Sequence, residues 1–456
     1  MKNTPLVQRE TLGTQNRRTR DLLAQPLMLY LLILLACSII EWGFAGINAH
    51  FLHTHYPRTS PLFNPQARFS DWTNFLTRAA HTGEPGMQTR SDLGLPYPYP
   101  LPSIYLFVLF LRFFADPTRA YIIFTICAFT VVTGCFSLYL RKIHATRLTQ
   151  SAVWLTLLVG SPAAFLLDRG NIEVFLWLFV LGGLVCFVRN WKYAAAVCFA
   201  LAACMKIYPA LYFLLFLPRR QFKPLALGIF TTAAFSLMAL AAVGPTIPSA
   251  IRDMSGSAKY LRDIQVTAPD EGDLRFDHSL LAEYKQAVYA VLKALHRAYT
   301  DHLPDFSRST NIYSVLAPLT FVFVYMGRLR QMPLLNQFAA LTIFSVLLPY
   351  VSYEYTLVHI YLVLGVFFVF LTQDLTSAQD KIDRRRITQM LALFAILAAP
   401  LSLLAFEHFQ GQVKGLALCG LLALILLVPM PSTIFSDRDR EMLPRREQQP
   451  SDFLQI

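Results

Sequence analysis

Charge is scarce in this chain. Only 15% of its 456 residues are Asp, Glu, Lys or Arg, against 55% that are hydrophobic, and the mean hydropathy is +0.44. The apolar residues are gathered in long runs instead of being spread through one core, which excludes a single water-soluble globule. The short alternating segments of a membrane barrel, about ten residues each, are missing as well. What remains is an all-α polytopic membrane protein, because hydrocarbon offers no partner to an open backbone group and a helix satisfies its own.

Cysteine is present, but not where it would pair. Cys37, Cys127, Cys135, Cys186, Cys198, Cys204 and Cys419 all lie inside apolar runs, so neither disulfides nor a zinc site is expected. The chain also has no Gly-rich phosphate loop, no HExxH and no paired CxxC, and shows no inverted repeat. The polar segments predicted to lie outside carry no Asn-x-Ser/Thr, which suits a bacterial inner (plasma) membrane. Acids are outnumbered 28 to 40, for a formal charge of +12. The Lys and Arg cluster at the ends of apolar runs, so this excess predicts orientation on anionic lipid, with no nucleic-acid partner.

Residues 1–25 carry Lys2, Arg9, Arg17, Arg18 and Arg20 against Glu10 and Asp21, and form a basic cytoplasmic N-terminus. The run from Pro26 to Ile47 is too long for a signal-peptide core and has no small-residue cleavage site, so it stays as the first span. Further runs at roughly 101–115, 119–140, 150–167, 172–188, 193–217, 224–243, 312–327, 334–350, 356–372, 387–406 and 412–431 predict a bundle of about twelve helices, within a range of ten to thirteen. The membrane domain is thus 26–431, with a first outer loop at 48–98 and a large one at 244–311. Residues 432–456 read as a disordered cytoplasmic tail. Arg328 and Arg330, then Lys381 and Arg384 to Arg386, then Arg438, Arg440, Arg445 and Arg446 recur after alternate spans and orient the second half. Two arrangements are open for the first half. If every run crosses, the turn at 168–171 is cytoplasmic; if 101–115 and 193–217 dip in and return, it is outside. The length of 193–217 favours full crossing.

Several polar residues stand out against this background. Asp71, in Phe69-Ser70-Asp71-Trp72-Thr73-Asn74-Phe75, lies on a short helix that Ser70 can cap, with Trp72, Phe75, Leu76 and Ala79 on the face turned to the bilayer. Asp71 is a candidate catalytic base, or else an acid that favours the helix dipole. Lys206, near the middle of an apolar run, is either half of an internal ion pair or a clamp for a lipid phosphate, in a cavity opened where Pro209 bends the helix. Asp168-Arg169-Gly170-Asn171 is a tight turn capped by Gly170, or a site in which Arg169 clamps phosphate and Asn171 hydrogen-bonds substrate. Glu354, in Ser352-Tyr353-Glu354-Tyr355, is a helix-start acid or a substrate contact. Phe276-Asp277-His278-Ser279-Leu280 opens a surface helix or a lid. His50, His53 and His55 lack the further ligands that a zinc site needs.

Four stretches together resemble the GT-C superfamily of membrane glycosyltransferases, and within it the polyprenyl-phosphate-mannose-dependent mannosyltransferases of glycosyltransferase family 87. They are Ser70-Asp71-Trp72 with the Tyr97 to Pro102 run, Arg169-Gly170-Asn171, Lys206-Ile207-Tyr208-Pro209, and Ser352-Tyr353 after Leu348-Pro349. The resemblance implies an outward-facing site, a polyprenyl-phosphate sugar donor, a lipid or glycan acceptor and inversion without a covalent intermediate. Asp71 is then the general base, Lys206 and Arg169 bind the donor phosphate, and Trp72, Asn171, Tyr208, His278, Glu354 and Tyr355 contact substrate. No second acid follows Asp71, so a metal-independent site with no cofactor is favoured. Tyr353-Glu354-Tyr355 stands where mycobacterial-type members tend to have histidines, which leaves acceptor and sugar open. A transporter or flippase of a lipid-linked saccharide is the alternative reading, although repeated halves and short loops would be expected of it.

Overall fold

The computed structural model describes residues 6–53, 68–84, 87, 97, 99–243, 246–267, 287–292, 295, 306–349, 352–373, 384–405 and 409–431. Among these residues every regular element is a helix. The order is α1 (Leu6–Ile47), α2 (Ser70–Ala80), α3 (Ile104–Phe113), α4 (Pro117–Lys142), α5 (Arg147–Val159), α6 (Ser161–Arg169), α7 (Glu173–Val188) and α8 (Lys192–Met205). A 3-10 segment, Tyr208–Phe216, leads to α9 (Phe222–Val243) and α10 (Ile247–Thr267). Then come α11 (Phe306–Gly327), α12 (Leu334–Leu347), a 3-10 turn at Glu354–His359, α13 (Ile360–Gln373), α14 (Arg384–Ala398) and α15 (Gln410–Leu427).

Seven helices among the described residues are long and apolar enough to cross a membrane, so the predicted twelve crossings are not matched. The helices in the runs 101–115, 172–188, 193–217 and 334–350 have only 10 to 17 residues. At 1.5 Å per residue, the 10 residues of α3 reach about 15 Å, half of a hydrocarbon layer of about 30 Å. The basic segment before the first span is helical and continuous with it, since α1 runs unbroken from Leu6 through Pro26.

Lipid-facing and core helices separate by composition. On α9, Ile229, Phe230, Leu237 and Met238 are exposed, as are Val315, Leu316, Leu319 and Phe323 on α11, as expected of side chains that meet acyl chains instead of water. By contrast, α12 is buried along its whole length, Asn336, Gln337, Thr342 and Ser345 included, the pattern of a helix enclosed by others.

Short breaks in the helices carry the polar residues to one end of the bundle. Between α8 and the 3-10 segment the backbone at Lys206 is extended (φ −146°, ψ 149°). Pro209 lacks the N–H that would bond the carbonyl of Met205, and its ring would clash there. Lys206 therefore sits at the mouth of a break, not in the middle of a bent helix as its sequence position suggested. A similar break at Gly160 and Pro162 separates α5 from α6, where a Cβ on Gly160 would fall 2.3 Å from the Tyr361 hydroxyl.

Candidate functional site

The start of α2 is held against the end of α6. The Phe69 N–H donates to the Asp168 carbonyl at 2.6 Å. Gly170, with φ +66°, closes α6 in the left-handed conformation, and both Gly170 N–H and Asn171 N–H bond back to Leu166. A side chain at 170 is barred, because its Cβ would lie 2.6 Å from Cβ of Trp72. The reading of 168–171 as a tight turn capped by Gly170 is thus seen in the backbone. Ser70 is the first residue of α2 and caps nothing; Phe69 (φ 53°) occupies the cap position, and the Ser70 hydroxyl lies 3.5 Å from an Arg169 guanidinium nitrogen.

The apolar face of α2 is the one expected, with Trp72, Phe75, Leu76 and Ala79 buried, but protein rather than lipid covers it. Trp72 is wholly enclosed, stacked on Tyr121 at 4.3 Å and packed against Phe107 and Phe110. It anchors α2 and does not line an open surface, which corrects the substrate contact expected of it.

Asn171 is the hub. Its side-chain amide donates to Asp71 Oδ2 at 2.7 Å and to the Tyr99 hydroxyl at 2.9 Å. Its Oδ1 accepts from Lys206 Nζ at 3.2 Å and from the Glu173 N–H at 3.2 Å. Two donors and two lone pairs are all an amide has, so the side chain is locked in one orientation. Its backbone carbonyl accepts from the Tyr121 hydroxyl at 2.9 Å.

Lys206 then meets Glu173 at 2.6 Å. The Glu173 carboxylate also accepts from Tyr208, and His359 Nε2 lies 3.1 Å from both Glu173 and the Tyr208 hydroxyl. The ammonium of Lys206 is 4.7 Å from the Tyr99 ring centroid and 4.8 Å from that of Tyr355, so its charge is shared between a carboxylate and two aromatic faces. The ion-pair reading of Lys206 is realised. Among the described residues Glu173 and Asn171 are its hydrogen-bond acceptors, so one of its three N–H bonds has no oxygen acceptor.

Asp71, Arg169, Lys206 and Tyr208 are all half-buried at this end of the bundle, whereas Asn171, Glu173 and His359 are fully buried beneath them. Burial pushes the Asp71 carboxyl above its ordinary value, opposed by the Asn171 hydrogen bond and by the charges of Arg169 and Lys206. Because Asn171 touches Asp71, the two occupy the same side of any membrane, which overturns the full-crossing arrangement and agrees with the one in which 101–115 and 193–217 dip in and return.

Glu354 turns elsewhere. It is buried with Lys414, Ser161 and Gln410, which all hydrogen-bond its carboxylate, while its neighbour Tyr355 reaches the site. His278 lies outside the described residues. Glu173, His359 and Lys414 were missed in the sequence. The available signal was an ionisable side chain inside an apolar run. No group of three or more metal-ligating side chains is assembled among the described residues.

The sequence model of glycosyltransferase family 87 matches residues 97–349. No curated protein matches the chain.

Proposed function

Since this chain belongs to glycosyltransferase family 87 and is therefore a membrane glycosyltransferase, we propose that it moves a hexose, with mannose favoured, from a polyprenyl-phosphate donor to a hydroxyl of a lipid or glycan acceptor. The acceptor oxygen attacks the anomeric carbon and the bond from that carbon to the phosphate oxygen breaks, with inversion. The hydroxyl proton passes to Asp71. The departing polyprenyl phosphate leaves with the electron pair, and Arg169 and the remaining N–H of Lys206 receive its charge. Fixed positive charge at the leaving group and a base within hydrogen-bond reach of the nucleophile are what the reaction needs.

The observation that carries this reading is the chain of contacts from Asp71 through one amide to Lys206. It sets a carboxylate and a cation on opposite sides of Asn171 at the lip of the bundle. Tyr208, half-buried at the lip, supplies aromatic surface on which a sugar ring can rest, with Tyr355 buried behind Lys206 as its support, and a polyprenyl chain reaches such a site from within the bilayer. The basic loop ends lie at the other pole, so the reaction faces the extracytoplasmic side.

The test is transfer by the reconstituted protein from radiolabelled polyprenyl-phosphate sugars. Asp71→Asn should keep donor binding and lose transfer by about 100-fold or more, the usual worth of a general base. Lys206→Ala should raise KM for the donor. Turnover by Asp71→Asn at the unmodified rate would reject the base, and a donor screen without any product would reject the donor class.

A further inference from the structure

At the pole of the bundle away from Asp71, the end of α4 and the start of α5 border an open hollow of about 580 Å³ lined by Ser137, Arg141, Arg147, Gln150, Trp154 and neighbouring residues. Neither Arg141 nor Arg147 has a carboxylate or any other side-chain hydrogen-bond partner among the described residues. Two exposed guanidiniums line this one hollow, with no acid among its lining residues, so the hollow is complementary to an anion.

The surroundings say what kind of anion. Val131, Cys135 and Leu138 are exposed along one side of α4 and lead to Arg141, while Leu158 is exposed one turn beyond Trp154 on α5. These are lipid-facing side chains that end at a Trp and two Arg, the sequence of chemistry met on passing from hydrocarbon to headgroup. Gln150, Ser137 and Ser151 add neutral hydrogen-bonding groups for phosphate oxygens and a headgroup hydroxyl.

We propose that this hollow is a binding site for the phosphodiester headgroup of an anionic phospholipid in the leaflet opposite the reaction site, with its acyl chains along the exposed stripes of α4 and α5. The guanidiniums clamp the phosphate, and the glycerol and headgroup hydroxyls meet Gln150 and the serines. The site is distinct from the Asp71 network, which α4 meets at Tyr121, near the opposite end of this 26-residue helix.

The test uses the whole protein in nanodiscs of phosphatidylcholine containing a minority of phosphatidylglycerol, with retained lipid measured by native mass spectrometry after detergent exchange. The unmodified protein should retain phosphatidylglycerol in preference to phosphatidylcholine. The double variant Arg141→Gln/Arg147→Gln should lose that preference by about an order of magnitude, as expected for two guanidiniums at an anionic surface, with its melting temperature unchanged. Arg189→Gln, at another basic loop, should leave it intact. Equal loss in Arg189→Gln would mean diffuse surface charge and overturn the site, as would retention that ignores both arginines. Displacement of the lipid by excess inorganic phosphate would instead assign the hollow to a soluble phosphate and overturn the lipid.

Discussion

One amide side chain holds the candidate base in place. Asn171 donates to Asp71 and is itself gripped by Tyr99, Lys206 and the Glu173 backbone, so its bond to the carboxylate cannot be replaced by a simple rotation. Burial raises the Asp71 pKa from 3.8, and the Asn171 hydrogen bond is the first of the effects that lower it. A base works only when unprotonated, so kcat/KM should be retained above the folded pKa and fall as pH drops through it. The acid limb of the profile therefore lies above the ordinary carboxylate range. For stability the same upward shift means that the contribution of protonated Asp71 is lost as pH rises through that pKa. Removing the hydrogen bond in Asn171→Ala should move the acid limb to higher pH while donor KM rises through the loosened Lys206. A profile with an unmoved limb would detach Asn171 from the base. Asp71, Asn171 and Lys206 were legible in the sequence as polar residues in unlikely places, but their mutual contacts were not. Lys206 and Glu173 are 33 positions apart, His359 and Glu173 are 186 apart, and no local spacing encodes such pairs.

Breaks between helices, more than the helices, build the site. The apolar runs announced most of the helices, because hydrocarbon demands them. The lengths were harder to read, since a run such as 193–217 is continuous in hydrophobicity yet divides at Lys206, where a proline three residues on decides the backbone. The turn Glu354–His359 is a second case. It presents Tyr355 and His359 to the site, and it is pinned from behind by Lys414, which is fully buried and bonded to Glu354 and to Ser161 at 2.8 Å. Sequence position suggested a substrate contact for Glu354; its burial against a lysine 60 residues away on α15 instead makes it a strut. Breaking such a pair leaves one buried charge uncompensated, at a cost of about 3–5 kcal/mol. Lys414→Met should accordingly lower the melting temperature in detergent sharply, and adding Glu354→Gln should recover a large part of the loss. Equal melting of the single and double variants would show that the two side chains are not coupled.

At the scale of the whole molecule, the chain shuttles between two poles. Arg169, Glu173, Lys206 and Tyr208 mark one of them, and Gly83 in the loop after α2 bonds the Val243 carbonyl at the end of α9, while Ser257 on α10 bonds the Tyr97 carbonyl. Both polar segments predicted to be outer loops thus meet at the site. Three elements that leave this pole end in basic residues at the other: α4 at Arg141 and Lys142, α7 at Arg189, and the 3-10 segment at Arg219 and Arg220. The returning helices begin there too, with Arg147 on α5 and Lys192 on α8, and Arg219 joins Gln337 beside Arg330. One-sided basic loops are the pattern that orients membrane proteins with the basic pole in the cytoplasm, the orientation we propose here, and the pattern emerges only once α8 and the 3-10 segment are recognised as a dip and return. In a background with the seven native cysteines replaced, an impermeant maleimide should label Ala80→Cys from outside intact cells and reach Lys142→Cys only after permeabilisation, both positions being exposed. Labelling of the two from the same side would break the two-pole arrangement. The reverse order would turn the reaction toward the cytoplasm, where the acceptor would have to be a cytoplasmic hydroxyl.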